Sequence, residues 1–151
     1  MGSASAVRAV FGPIAFVPMS AIGFLSDEWF DAYADVVSEI APSEVGDARF
    51  VIETAIDDGA GRVHRHRLVA RDGRLQVSRG EGDDADVVIR QPLAVATSIA
   101  RGELSVQRAL LEGRMTIEGD VRVLLEQSDL LSLVAAKLAE LAARTKFDPL
   151  S

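Results

Sequence analysis

The chain has 151 residues; 48% are hydrophobic but only 5% aromatic, the formal net charge is −7, and cysteine is absent. That length holds one domain with a sizeable aliphatic core, and the acidic balance excludes a nucleic-acid partner, whose phosphates reward clustered positive charge. Without cysteine there are no disulfides or thiolate metal sites, which is compatible with the reducing cytoplasm as its compartment.

Residues 1–25 read as an irregular N-terminal arm. Ala9 to Leu25 is mostly apolar, but Gly12, Pro13, Pro18 and Gly23 interrupt any helix. The run therefore falls short of the roughly 20 apolar residues that a spanning helix needs. An arm lying on the domain, on a second copy or on a protein partner is expected, with a targeting segment as the alternative. Ala6 stands where a myristoylation signal has Ser or Thr.

The first helix starts after Ser26, a suitable N-cap, with Asp27 and Glu28 at its positive end. Trp29, Tyr33, Val36 and Ile40 recur at helical steps toward the core, and Pro42 is expected to stop the helix.

From Arg49 to Arg90 the period changes to two. Phe50, Ile52, Thr54 and Ile56 share one strand face, and Asp57-Asp58-Gly59-Ala60-Gly61 turns the chain. Val63 to Ala70 forms a second strand, and Asp72-Gly73 a tight hairpin into Leu75 and Val77. A fourth strand through Val87, Val88 and Ile89 completes an expected antiparallel meander.

Three features of this region carry possible chemistry. His64 and His66, two apart on a strand, share a face, as a metal site or an acid–base pair requires. No third ligand is evident, so an exposed strand face flanked by arginines is the favoured reading. The loop Glu81, Asp83, Asp84, Asp86 offers oxygen ligands without EF-hand spacing and reads as solvated. Arg62, Arg65, Arg67, Arg71, Arg74 and Arg79 put six of the sixteen basic residues into one hairpin region. They read as a solvated face or edge that discourages strand pairing, with transient contact to an anionic membrane surface as the functional alternative.

Pro92 opens a further helix that presents Leu93, Ala96, Ile99 and Ala100 on one side. The run Gly102 to Asp120, GELSVQRALLEGRMTIEGD, then holds several coordinated signals. Ser105 can cap a short helix with Val106 and Leu110 on one face, and Gly113 falls where a left-handed C-cap is needed. Arg114 to Glu118 alternates as a half-buried strand with Met115 and Ile117 inward, Gly119-Asp120 turns the chain, and Asp120 can cap the next helix. A helical region from Asp120 to Gln127 leads to a last long helix, about residues 129–143. Its stripe is Leu131, Val134, Leu138 and Leu141, with Glu140–Arg144 as a favourable pair on the other side.

The run at 102–120 resembles the late core of the sterol carrier protein type-2 family, also called non-specific lipid-transfer proteins. The likeness extends over about residues 26–143, and Asp86-Val87-Val88-Ile89 leading to Pro92 is similar to the family's sheet-to-helix transition. The resemblance implies an α+β fold: a curved, mostly antiparallel five-stranded sheet, covered by helices on one face and enclosing an apolar cavity for sterols, fatty acids or acyl chains. It places that domain at residues 26–146, with 147–151 as a tail. The residues expected to line the cavity are Leu93, Ile99, Leu110, Met115, Ile117, Leu124, Leu131, Val134 and Leu138. Two departures stand out. Pro149-Leu150-Ser151 is not a peroxisomal Ser-Lys-Leu address, and the arm before Ser26 is additional to the usual domain.

The residues agree with a binding role. No nucleophile elbow, phosphate-cradling glycine loop or paired-histidine metal helix is present, so no catalytic residue, metal or cofactor is expected. Aliphatic pockets hold lipid by removing apolar surface from water. Two other readings stay open: a small enzyme with His64, His66, Glu112 or Glu118 at the mouth of the same cavity, and an accessory domain that docks through its N-terminal arm.

Overall fold

The computed structural model describes residues 21–80 and 82–147. Most of the expected arm, the last four residues of the tail and Glu81 lie outside the described residues. A five-stranded sheet carries helices on one face. In chain order its strands are β2 (Phe50–Asp57), β3 (Val63–Arg71), β4 (Arg74–Arg79), β5 (Val87–Pro92) and β6 (Thr116–Gly119). Two residues at the start, β1 (Ile22–Gly23), pair in parallel with β7 (Thr145–Lys146) and tie the two ends of the domain together.

Helix α1 (Asp27–Val37) begins as its sequence dictates: the Ser26 hydroxyl accepts the Trp29 N–H at 3.1 Å and donates to the Gly23 carbonyl at 2.7 Å. Trp29, Phe30, Tyr33, Val36 and Val37 are buried. The helix ends at Val37, before Pro42, which instead opens the four-residue helix α2 (Pro42–Val45) as its N1 residue. Pro42 is thus a start signal where a stop was expected.

The hairpins form as read. Asp72 and Gly73 both take positive φ, 52° and 74°, the geometry of a two-residue hairpin turn. The meander, however, stops after β4. The sheet order is β4-β3-β2-β5-β6, and β5 lies beside β2 and parallel to it, with Ile52 opposite Val87; the other three pairings are antiparallel. Residues 82–86 lead back into β5. Gly82 N–H donates to the Glu53 carboxylate at 3.2 Å, Asp84 meets Arg67, and the Asp86 carboxylate accepts the Val51 N–H at 2.7 Å. Asp83, Asp84 and Asp86 are exposed, as expected of a solvated loop, and the bonds of Gly82, Asp84 and Asp86 also tie the segment to the sheet as a strap.

Register divides the sheet into two faces. Phe50, Ile52, Ile56, Leu68, Ala70, Leu75 and Val87 are buried on the side toward the helices. Val51, Glu53, Ala55, Arg65, Arg67 and Arg90 lie on the opposite side.

Beyond the sheet come α3 (Leu93–Ala100), α4 (Val106–Leu111), α5 (Arg122–Glu126) and α6 (Ser128–Ala142). Ser105 caps α4 through the Arg108 N–H at 3.1 Å. Gly113 (φ 72°) ends it, with Arg114 N–H bonded to the Ala109 carbonyl and Gly113 N–H to that of Leu110, a Schellman pattern. Helix α4 buries Ala109 and exposes Val106 (41%) and Leu110 (43%), so the two do share a face, and it is an exposed one, although Leu110 was expected to line the cavity. In so short a helix two apolar residues four apart do not fix its rotation. The Asp120 carboxylate accepts the Arg122 N–H at 3.1 Å where α5 begins. In α6 the buried residues are Leu130, Val134 and Leu141, with Leu131 and Leu138 half-buried beside them. Glu140 pairs with Lys137 at 3.6 Å rather than with Arg144, which lies beyond the end of the helix.

Candidate functional site

Burial differs between the two ends of the interior. Where α1 crosses β3 and β4, aromatic rings close the core: Trp29 contacts Phe24, Phe30 and Tyr33 with centroids 5.0, 5.1 and 5.3 Å apart, and all but Phe24 are buried. Toward β5, β6, α3, α5 and α6 the core becomes aliphatic and only half closed. Ile89, Leu93, Ile117, Val123, Leu124, Leu131, Leu133 and Leu138 all pack on the main core while retaining partial exposure. Among the described residues, the only partly buried hydrophobics packed on the core at the aromatic end are Phe24 and Val77, so most of the half-covered apolar surface is aliphatic and lies at the other end.

Of the residues expected to line a cavity, Val134 is buried in the main core, and Leu93, Ile117, Leu124, Leu131 and Leu138 pack against that core partly buried. Met115 and Ile99 belong to an adjoining small cluster with Val95, Leu104 and Ala109. Ile89 touches both clusters. Leu110, 43% exposed, stands apart. Sequence reading passed over Ile89, Val123 and Leu133. Ile89 could have been found, since alternation from the buried Val87 puts it on the inner face.

Two surface clefts lie outside this interior. One, of about 570 Å³, is bounded by Arg101, Ala139, Ala142, Ala143 and Phe147, where α3 and α6 end. The other, of about 480 Å³, lies on the far side of the sheet, with Ala55, Val63, Arg90, Pro92 and Arg114 among its walls.

The histidines are not where an exposed, arginine-flanked strand would put them. Strand alternation sends Arg65 and Arg67 to the outer face and both histidines toward the helices. His64 is half-buried, with Nε2 3.3 Å from the Asp58 carboxylate. His66 is 8% exposed and packs against the rings of Phe30 and Tyr33. The sequence carried the signal: His66 shares parity with Leu68 and Ala70. Among the described residues no three His, Asp or Glu side chains converge as metal ligands.

Burial depresses the His66 pKa from 6.5 to about 4. Below pH 6.5 the unfolded chain therefore takes up a proton that the folded chain refuses until about pH 4. Stability is thus full above 6.5 and falls by about 3 kcal/mol between those limits. Asp58, Asp84, Glu112 and Asp120, all lowered by hydrogen bonds to their charged form, lose their contribution only as pH drops through the lower carboxylate range. Urea unfolding from pH 7 to 4 is expected to show the decline in the native protein and a flatter profile in His66→Leu. An equal decline in both would rule out His66 as its source.

The arginine cluster is likewise divided. Arg65 and Arg67 lie 3.3 and 3.8 Å from the carboxylate of Glu53, which is 4% exposed, and Arg67 also holds Asp84. Arg79 meets Asp27 and lies over the Phe30 ring, 4.7 Å from its centroid. Arg62, Arg71 and Arg74 are exposed. Much of what read as a solvated basic face is internal pairing. Glu112 and Glu118 are occupied too, by Arg108 at 2.8 Å and Arg90 at 2.9 Å, on exposed surfaces, with Glu118 on the opposite face of β6 from Ile117.

Comparison with known proteins places the fold. A search of curated proteins returned no match. Among solved structures, a conserved hypothetical protein from Thermus thermophilus, described as possibly a sterol carrier protein, superposes with a TM-score of 0.65 at 20% identity, covering 81% of this chain and 92% of that one. Sterol carrier protein 2 from Yarrowia lipolytica (apo form) gives 0.56 at 18% identity over 82% and 93% of the two chains. Palmitated sterol carrier protein 2-like 2 from Aedes aegypti gives 0.53 at 25% identity over 80% and 96%. Residues 34–132 match the model of the SCP-2 sterol transfer family, and the chain belongs to that family.

Proposed function

We propose that this chain is a carrier that holds a long-chain lipid or sterol-like molecule between β5 and β6 of the sheet and helices α3, α5 and α6. The observation that carries the reading is the half-closed aliphatic end, where Ile89, Leu93, Ile117, Leu124, Leu131 and Leu138 keep partial exposure although they pack on the core. Apolar surface left wet at a core boundary is favourable to cover, at about 25 cal/mol per Å² before the costs of association. Family membership supports lipid binding in general, and the palmitated Aedes aegypti relative supports an acyl chain as one occupant. The short helix α5 supplies the movable part, since Leu124 faces the core while Leu125 is 74% exposed. Transient contact with a membrane surface fits a carrier that loads from a bilayer, and among the described residues no helix is long and apolar enough to cross one.

The test is direct. The native protein is extracted under denaturing conditions and the extract analysed by mass spectrometry; separately, the protein is titrated with fluorescent acyl and sterol probes. Endogenous lipid or micromolar-range uptake is the expected result. Absence of both would reject the carrier reading.

A further inference from the structure

His66 Nδ1 is buried without a hydrogen-bond partner, and the residue is 8% exposed. Buried polar atoms are almost always bonded, so an orphan on the apolar side of a sheet calls for an explanation. Its surroundings are flat and apolar: the Phe30 and Tyr33 rings, with centroids 5.3 and 5.9 Å from the imidazole.

Strand register shows what lies in line with it. One row across the helix-facing side reads Arg79, His66, Thr54, Ile89 and Ile117, one residue from each strand. Its far end, Ile89 and Ile117, belongs to the half-closed aliphatic region. At the usual spacing between strands, His66 lies about 10 Å from Ile89 and about 15 Å from Ile117. A row that passes from a polar atom to exposed aliphatic surface over that span matches an elongated molecule with one polar end.

We propose that His66 is the polar anchor of the lipid site and selects an uncharged hydroxyl, so that the ligand class is a lipid alcohol whose apolar body lies toward Ile89 and Ile117. The inference rests on the carrier reading above. A hydroxyl can both donate and accept, and so satisfies Nδ1 in either tautomer of the neutral ring. A carboxylate would bring a charge into an interior that already keeps the imidazole uncharged. The cation on the same row, Arg79, is engaged by Asp27 and by the face of Phe30 at the exposed end.

The experiment is competition against a fluorescent acyl probe by hexadecan-1-ol, palmitate and hexadecane, which has no hydrogen-bonding group, on the native protein and on His66→Leu. His66→Leu is expected to weaken hexadecanol by about tenfold, the worth of one hydrogen bond, while keeping hexadecane within about twofold. Nitrogen-15 NMR of the native protein adds a readout independent of any variant: the His66 Nδ1 resonance should shift on addition of hexadecanol and stay in place with hexadecane. Hexadecanol affinity that survives His66→Leu, an unmoved Nδ1 resonance, or palmitate binding tighter than hexadecanol would overturn the anchor and leave the carrier reading standing. If none of the three ligands binds the native protein, the carrier reading fails and the anchor with it.

Discussion

Glu53→Leu is expected to destabilise the domain by about 3–5 kcal/mol, the range for removing one partner of a buried ion pair. Glu53 is 4% exposed on the outer face of β2, bonded to the strap at residues 82–86. It answers Arg65 at 3.3 Å, Arg67 at 3.8 Å and the Gly82 N–H at 3.2 Å. Arg67 Nε is buried and makes no hydrogen bond, so the charge of Glu53, 3.8 Å away, is what offsets its desolvation; Asp84 bonds only the far end of the guanidinium. The strap would loosen as well, and it leads the chain into β5. Because the penalty comes from the stranded arginine, adding Arg67→Leu should recover part of the loss. Urea denaturation of the two single variants and the double variant checks this. Strict additivity of the two losses would contradict the account.

Gly119→Ala is expected to cost on the order of 3 kcal/mol, with the loss centred on β6. Gly119 has φ +100°, a region that side chains avoid. An added Cβ would stand 2.3 Å from the Asp86 carbonyl oxygen, which is backbone and cannot swing aside. That same oxygen accepts the Asp120 N–H at 2.9 Å, so the glycine lets β6 close on the first residue of β5, with Gly119 opposite Val87. Pushing it away would shift Ile117 and the start of α5, both parts of the aliphatic end. Hydrogen exchange should show lost protection at residues 116–120 before any change in β2 and β3. A stability change below about 0.5 kcal/mol would contradict the steric account.

What the sequence made legible was local. Ser26, Ser105, Gly113 and Asp120 act at helix ends through bonds that span a few residues, so residue type and spacing sufficed. The hairpin at Asp72-Gly73 belongs to the same class. The position of β5 was not legible in that way, because it depends on a strap whose anchors, Glu53, Arg67 and Val51, lie 29, 17 and 35 residues from their partners. One hint was available: Val87-Val88-Ile89 is continuously apolar, as suits a strand in the interior of a sheet with neighbours on both sides.

For the site, strand parity mattered more than composition. Reading His64 and His66 with the arginines between them treated the strand as having one environment, whereas period two gives it two. Leu68 and Ala70 mark which parity is internal. The α6 stripe was placed within one residue: Val134 and Leu141 are buried as read, while Leu130 takes the position expected of Leu131. In α4 the small Ala109, 0% exposed, occupies the contact that the larger Leu110 was expected to make.

The claim that the half-closed aliphatic end holds the lipid is tested most directly by paramagnetic broadening. Octadecan-1-ol carrying a nitroxide on its chain is added to isotope-labelled protein, and the loss of amide intensity is mapped onto the sequence. The account predicts broadening strongest at Ile89, Leu93, Ile117, Leu124, Leu131 and Leu138, and weakest at the Asp72-Gly73 hairpin between β3 and β4, toward the opposite edge of the sheet. Broadening strongest at that hairpin, or at the exposed Leu110 and Leu111, with residues 117–138 little affected, would contradict it.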